Sequence, residues 1–509
     1  MSKRTYNIFY NLHTVSGIVI SVGLFVIFFA GAFTLFYKET EEWERSQAPT
    51  AAVAPAKLLH LDTLVSTLTK AGNDLYARDI YIDLQAKSLL QPVFLGRSED
   101  SLATGAATKF KSLYVDRDSY AITEQSAKSS ATLGALLYEL HFLEQLGDPG
   151  YYLAGLISLF LLFAVVTGII IHWKKIISNF YLFRPYEKLK TVWTDAHTAL
   201  GMIGIPFQFM YALTGAWFGL SILVASSGSL LYNGNQSKYY EEIFGHHEAY
   251  PGPRIDLGTH SLQAFVDSAS SRWDGFRLTY IAFHGTGSAN MKVNIYGEVD
   301  SRSGFFNFGE LEFDVATGTV THLEDPFHKS YDDLVSAAVH RLHFGYFGLD
   351  GWRHMAVKVL YFLLAMATCF VIITGVLIWL EARKKKPFSQ AVGHIYLPVC
   401  LSMLPITALS YLVSRLTPAS LGDYRAMVLN CVFFGGWLLM AVFFWYRKNN
   451  YLTNKYTLLL AGILGACVPV AGYAMAGQFV FVDGLWTGLS VTALLAVWMA
   501  GRRSAATAG

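Results

Sequence analysis

The sequence predicts a membrane α-helical protein of about eight spans, built on a duplicated two-span unit that carries two extracytoplasmic α+β domains. Three observations lead there. The 509-residue chain is 53% hydrophobic and only 15% charged, against roughly 25% charge in a soluble domain. Eight apolar stretches, near 14–37, 151–172, 198–224, 355–380, 395–414, 425–446, 456–477 and 480–501, reach the ~20 residues that a membrane helix needs. A histidine pattern also occurs twice. His13-Thr14 precedes the first apolar run and His197-Thr198 the third. LYELHFL, with His141, corresponds to VHRLHFG, with His343, and the runs that follow close in VTGIIIHW (166–173) and ITGVLIWL (373–380).

Residues 1–37 hold the first span. Lys3 and Arg4 precede it as in a signal peptide, but its apolar run exceeds the usual core of about 7–15 residues and no small-x-small site closes it. It is therefore read as retained. Residues 38–150 make the first outer domain. After an Ala/Pro/Ser-rich linker at 46–57, LDTLVSTLTKAG (61–72) has helical spacing and KSLYVDRDSYAI (111–122) alternates like a strand, an Asp turn and a second strand. Residues 151–190 hold the second span and a basic loop, and 191–224 the third span. Residues 225–354 repeat the outer scheme with THSLQAFVDSASSRW (259–273) and GELEFDVATGTVTHL (309–323). Residues 355–386 hold the fourth span and a second basic loop, and 387–509 four further spans without outer domains.

Orientation follows from Lys and Arg in short flanks. Lys3/Arg4, Lys174/Lys175 with Arg184, Lys188 and Lys190, Arg383–Lys386, Arg447/Lys448/Lys455 and Arg502/Arg503 all fall on one side of an eight-span chain. Both termini are thereby expected in the cytoplasm and both long loops outside. The two units then run in the same direction and are related by an axis along the membrane normal.

Ionisable groups at a bilayer are costly, so their first reading is functional. The axis brings His13 to His197 near the inner leaflet and His141 to His343 near the outer one. Imidazoles facing each other in a helix bundle suit bis-histidine haem b ligation, with a slot of small residues. Gly17, Gly31, Gly201, Thr167-Gly168, Thr214-Gly215 and Thr374-Gly375 supply such a slot. A histidine at a helix end also caps or sits among headgroups without binding anything. His172 has no counterpart in the second unit, where Trp379 stands, and it competes with His13 and His197 for the inner site. His340, three residues from His343, shares its face; His354 and His394 read as interface residues. The other outer histidines, His246, His247, His260, His284, His322 and His328, read as surface or turn residues.

Other chemistries find little support. The four cysteines, Cys369, Cys400, Cys431 and Cys467, lie in apolar runs with no CxxC or CxxCH. There is no P-loop, GxSxG, HExxH or GxGxxG after a strand. The formal net charge of +2, with no long basic run, gives no reason to expect nucleic acid.

The order and repetition of the LH[TR]xxG-type openings at His13 and His197, the LH pairs ending at His141 and His343, the Thr-Gly closures and the outer strands YVDRDSYAI and EFDVATGTV resemble the PepSY-associated transmembrane proteins, often called iron-regulated membrane proteins. The resemblance covers about 1–386. It implies PepSY-like outer domains, a bacterial inner membrane and a role in iron acquisition. Some members are di-haem reductases of ferric siderophores, which implies two haem b held by His13, His197, His141 and His343. The partners implied are a ferric siderophore or similar chelate, and a cytoplasmic reductant or membrane quinol as donor. Two other classes stand beside this one: a regulator whose outer domains bind peptides, and a metal or siderophore transporter. A transporter usually shows broken helices or midspan polar groups, and here Pro206 and Gln208 are the main ones.

Overall fold

The computed structural model describes residues 1–45, 58–84, 90–98, 111–125, 132–175, 177–178, 181, 183–184, 187–228, 232–234, 252–299, 307–349, 351–418, 421 and 423–506. The chain begins with α1 (Lys3–Thr34) and a short α2 (Tyr37–Arg45), then α3 (Leu61–Lys70) and strands β1 (Arg78–Asp83), β2 (Leu90–Ser98), β3 (Lys111–Asp116) and β4 (Ile122–Gln125). Helix α4 (Leu133–His141) leads to α5 (Asp148–His172) and the long α6 (Leu189–Gly228). The second outer segment supplies α7 (Leu262–Ser270), β5 (Arg277–His284), β6 (Lys292–Glu298), β7 (Phe308–Asp314), β8 (Val320–Glu324) and α8 (Tyr331–Phe344). After α9 (Gly351–Ala382) come α10 (Pro387–Leu401), α11 (Met403–Leu416), α12 (Asp423–Asn430), α13 (Gly436–Arg447), α14 (Asn450–Ala476) and α15 (Phe481–Ala506).

Eight helical stretches among the described residues are long and apolar enough to cross a membrane, so this is a multi-pass membrane protein. Two of the eight are interrupted. Helix α10 ends at Leu401 and is capped by Ser402, whose N–H reaches Pro398 O at 3.1 Å, and Pro405 in the first turn of α11 has no N–H to continue the ladder. Between α12 and α13 the chain makes a π-turn at Cys431–Gly435. Helices begin earlier than hydropathy suggests: α1 starts at Lys3 and α6 at Leu189. His13 and His197 therefore stand inside helices rather than ahead of them, because apolar residues mark membrane depth while the helix extends into polar sequence.

Helix α1 is the axis of the bundle. Its Phe33 ring packs against Phe362 at 5.7 Å, Trp486 at 5.8 Å and Tyr411 at 6.4 Å, and Phe36 lies 4.7 Å from Phe481. One apolar residue stack thus joins α1 to α9 and to the last spans.

The outer segments are expected to hold two α+β domains, each with a small sheet; among the described residues the eight strands form a single antiparallel sheet in the order β4-β3-β2-β1-β5-β6-β7-β8. The seam is β1 against β5, with Ile80 opposite Phe283 and Ile82 opposite Ile281. The physical reason is edge pairing: apart, β1 and β5 would each expose an unpaired strand. Side chains alternate across the sheet. Ile80, Ile82, Val93, Leu95, Ile281, Phe283, Val293, Ile295 and Leu311 face one common core, closed by Leu64 and Leu68 of α3 and Leu262 and Val266 of α7.

Candidate functional site

Each end of the bundle carries a facing pair of imidazoles. His13 on α1 and His197 on α6 have ring centroids 6.2 Å apart. His141, the last residue of α4, and His343, near the end of α8, are 6.0 Å apart. The pairing expected from the repeated pattern is the pairing found. From His13 to Ile27, whose carbonyl touches His141, and from His197 to Thr214, which touches His343, the levels lie roughly 20–25 Å apart at ~1.5 Å per residue.

Hydrogen bonds fix the rings. His13 Nδ1 donates to Ala164 O at 2.9 Å, His197 Nδ1 to Val371 O at 2.9 Å, and His141 Nδ1 to Ile27 O at 2.8 Å. A carbonyl can only accept, so the proton is on Nδ1 and the Nε2 lone pair is free. His343 reaches the same state differently. Thr214 Oγ1 donates to Met210 O at 2.9 Å, and its oxygen then accepts from His343 Nδ1 at 2.9 Å. None of the four Nε2 atoms has a hydrogen-bond partner among the described residues.

The small residues divide by role. A Cβ on Gly31 would stand 2.6 Å from the His141 ring, one on Gly375 3.0 Å from His197, and one on Gly168 3.3 Å from His13. These glycines let the rings lie flat against a neighbouring helix. Gly215 instead lets α6 approach Ser158 of α5, which its Cβ would meet at 2.6 Å. Gly17 and Gly201 stand one turn beyond His13 and His197 on the same helix faces, and a Cβ there meets nothing within 4 Å. There is open room beside the inner pair.

These features would suit a metal-bearing group held by the two imidazoles of a pair. With metal–nitrogen bonds of ~2 Å, two imidazoles sharing one ion place their centroids about 6 Å apart. The free Nε2 atoms, the second-shell bond on each Nδ1 and the room along Gly17 and Gly201 agree with a flat group between the rings. Among the described residues no cluster of three or more His, Cys, Asp or Glu could hold a metal, so a fully protein-ligated ion has no candidate there.

His172 ends α5, one turn beyond Gly168, and lines a cavity of about 730 Å³ at the end of the bundle away from the sheet, with Lys3, Tyr6, Trp173, Asp195 and Thr198. His13 lies with its ring centroid 6.2 Å from that of His197. His340 Nδ1 bonds Ser336 O within its own helix at 2.9 Å, and His394 Nδ1 bonds Asn450 Oδ1 at 3.0 Å. His284 forms a 3.2 Å ion pair with Asp79 at the β1–β5 seam, so it is not a simple turn residue; His246 and His247 lie outside the described residues. Sequence reasoning missed Tyr211. Its ring lies 5.1 Å from that of His343 and its hydroxyl donates to His343 O at 2.8 Å. The available signal was its place one turn before Thr214-Gly215.

All four facing histidines fall in residues 10–382, the segment that matches the family profile described as "PepSY-associated TM region". The chain belongs to the PepSY-associated transmembrane family. The PepSY-associated segment ends at the close of α9, so the last four spans lie outside it. This PepSY-associated protein is also similar to "Uncharacterized protein PA4219" of Pseudomonas aeruginosa, 23% identical over 298 residues that cover 56% of this chain and 73% of the relative.

Proposed function

We propose that this protein is a di-haem b electron-transfer protein of the bacterial inner membrane that reduces ferric iron in siderophores or similar chelates. The observation that carries this is the pair of facing imidazole couples with Nε2 lone pairs free, one couple toward each end of the bundle. His13 and His197 would hold one haem, His141 and His343 the other. When bound, the haems supply one-electron transfer across the ~30 Å hydrocarbon core.

The chain's own residues do the rest. Ala164 O, Val371 O, Ile27 O and Thr214 Oγ1 keep each imidazole oriented as a ligand. Phe28, Phe207 and Tyr211 form an aromatic cluster beside the His343 site, with Phe207 and Tyr211 rings 4.6 Å apart, and exclude water from the route. The cavity beside His172 is the entry for a cytoplasmic reductant or a membrane quinol, and the sheet side faces the periplasm and the ferric chelate. We read the two arms as copies of one two-span unit: α1 sets His13 against α5 as α6 sets His197 against α9.

The test is an absorption spectrum of detergent-purified protein, oxidised and dithionite-reduced, with haem counted per chain. Two low-spin b haems are expected, with one lost from His13→Ala or His197→Ala and the other from His141→Ala or His343→Ala. A haem-free protein after expression with ample haem overturns the reading in favour of a peptide-binding regulator or a transporter of metal or siderophore.

A further inference from the structure

The last four spans have no place in the two histidine pairs, yet a buried polar network ties them to one histidine. Helix α2 is the connector. On one side, Thr40 and Tyr411 share a 2.8 Å hydroxyl bond, Trp43 Nε1 donates to Asp483 Oδ1 at 2.9 Å, and Arg415 donates to Trp43 O. Arg425 donates to Glu44 Oε1 at 3.0 Å and to the carbonyls of Ser414 and Thr417 at 3.2 and 3.1 Å. The Glu44 and Arg425 side chains are 1% and 5% exposed.

On its other side α2 grips α4. Both Glu44 carboxylate oxygens accept from Leu133 N, at 3.1 and 3.2 Å. Glu41 accepts from Thr132 Oγ1 at 3.0 Å, and a Cβ on Gly134 would meet Tyr37 O at 3.3 Å. Leu133 is the first residue of α4 and His141 the last, about 12 Å further on. A carboxylate at a helix N-terminus fixes that end by charge and by hydrogen bond. Helix α4 also has its own Thr132 cap on Ala135 N; helix α8, which carries His343, is capped by its own Ser330–Asp333 box.

We propose that the four C-terminal spans are a brace that positions His141, acting through Arg425 and Glu44, and that these two are positioning residues for the outer site. Burying an ion pair of this kind gives little net stability, but it sets where α2, and through it α4, must sit. The proposal rests on the haem reading only for its spectroscopic consequence.

The experiment uses the full-length protein with Glu44→Ala, Arg425→Leu and the double change Glu44→Gln/Arg425→Leu, which drops both charges but keeps an oxygen for Leu133 N. Electron paramagnetic resonance and redox titration should show a shift in the one haem that His141→Ala abolishes, with the other unmoved, in all three variants, the double one included because it breaks the Arg425–Glu44 link while leaving no unpaired buried charge; a parent signature in the double variant overturns the brace. Hydrogen exchange, which needs no haem, should quicken at least tenfold over 133–141 in Glu44→Ala and stay unchanged over 331–344. Equal exchange in both helices, or two haems that move together or not at all, overturns the brace. A protein with no haem overturns the function proposed above, and exchange alone then decides the brace.

Discussion

Thr214 does for His343 what main-chain carbonyls do for the other three histidines. Its hydroxyl spends its proton on Met210 O and turns a lone pair to His343 Nδ1 at 2.9 Å. This is the single orienting bond among the four that a point mutation can delete. Thr214→Val keeps the shape and removes the acceptor. Loss of a second-shell partner typically costs about 10–100-fold in metal affinity, so under the proposed function a haem on His141 and His343 should be retained poorly on titration with a competing apo-protein. Thr167→Val should do little, because His13 keeps Ala164 O at 2.9 Å and meets Thr167 only at 3.4 Å. Equal losses in the two variants would contradict the assignment.

The glycines make a graded set. Gly31→Ala drives a methyl into the His141 ring, which is held between α1 and the rest of its own helix. Overpacking of this kind costs about 1–3 kcal/mol, and the melting temperature should fall along with outer haem occupancy. Gly201→Ala meets nothing within 4 Å. It should leave the melting curve of haem-free protein unchanged and, under the proposed function, lower the haem content at the His13–His197 pair, since the methyl enters the open room beside it. Pigment absorbance per chain beside a melt of the unloaded protein separates the two outcomes.

Asp79 makes the sheet sensitive to acid. Burial opposes its ionisation, but the His284 hydrogen bond and charge, with Gly285 N–H and Tyr81 OH, outweigh it and hold the carboxyl below its ordinary range. A depressed folded pKa gives stability that is present above the unfolded value, ~3.9 for Asp, and is lost as pH falls through the folded value. Protection against exchange across β1 and β5, taken relative to the intrinsic rate at each pH, should therefore fall below about pH 4. Asp79→Asn should weaken the seam by about 1–3 kcal/mol at neutral pH and flatten that acid response. An unchanged response would place the acid-sensitive group elsewhere.

Much of this was legible in the sequence because it is periodic. Spans follow from runs of apolar residues, and the partners of His13 and His141 follow from where the pattern returns, at His197 and His343. Thr167-Gly168 and Thr374-Gly375 were readable as slot positions, but that they lie against the His13 and His197 rings was not. What was hidden depends on contacts between distant segments. The meeting of β1 and β5 leaves no local trace, since either strand reads equally well as the edge of its own small sheet. Glu44 and Arg425 look like ordinary interface charges until α2 is seen wedged between α4 and the last spans. Tyr211 reads as one more aromatic among 29 tyrosines.

The β1–β5 seam also dictates an order of assembly. Ile80 and Phe283 are far apart in the chain, whereas β1 to β4 and β5 to β8 are joined by hairpins that close locally. Closing distant contacts is slow, because loop entropy is lost before the contact forms. The first four strands are made long before β5 exists, and until then β1 is an open edge. The same timing governs the histidines, since His13 waits for His197 and His141 for His343. A ribosome that has released only the first arm displays one histidine of each pair and one unpaired strand, so a chain stalled midway leaves all of them without partners.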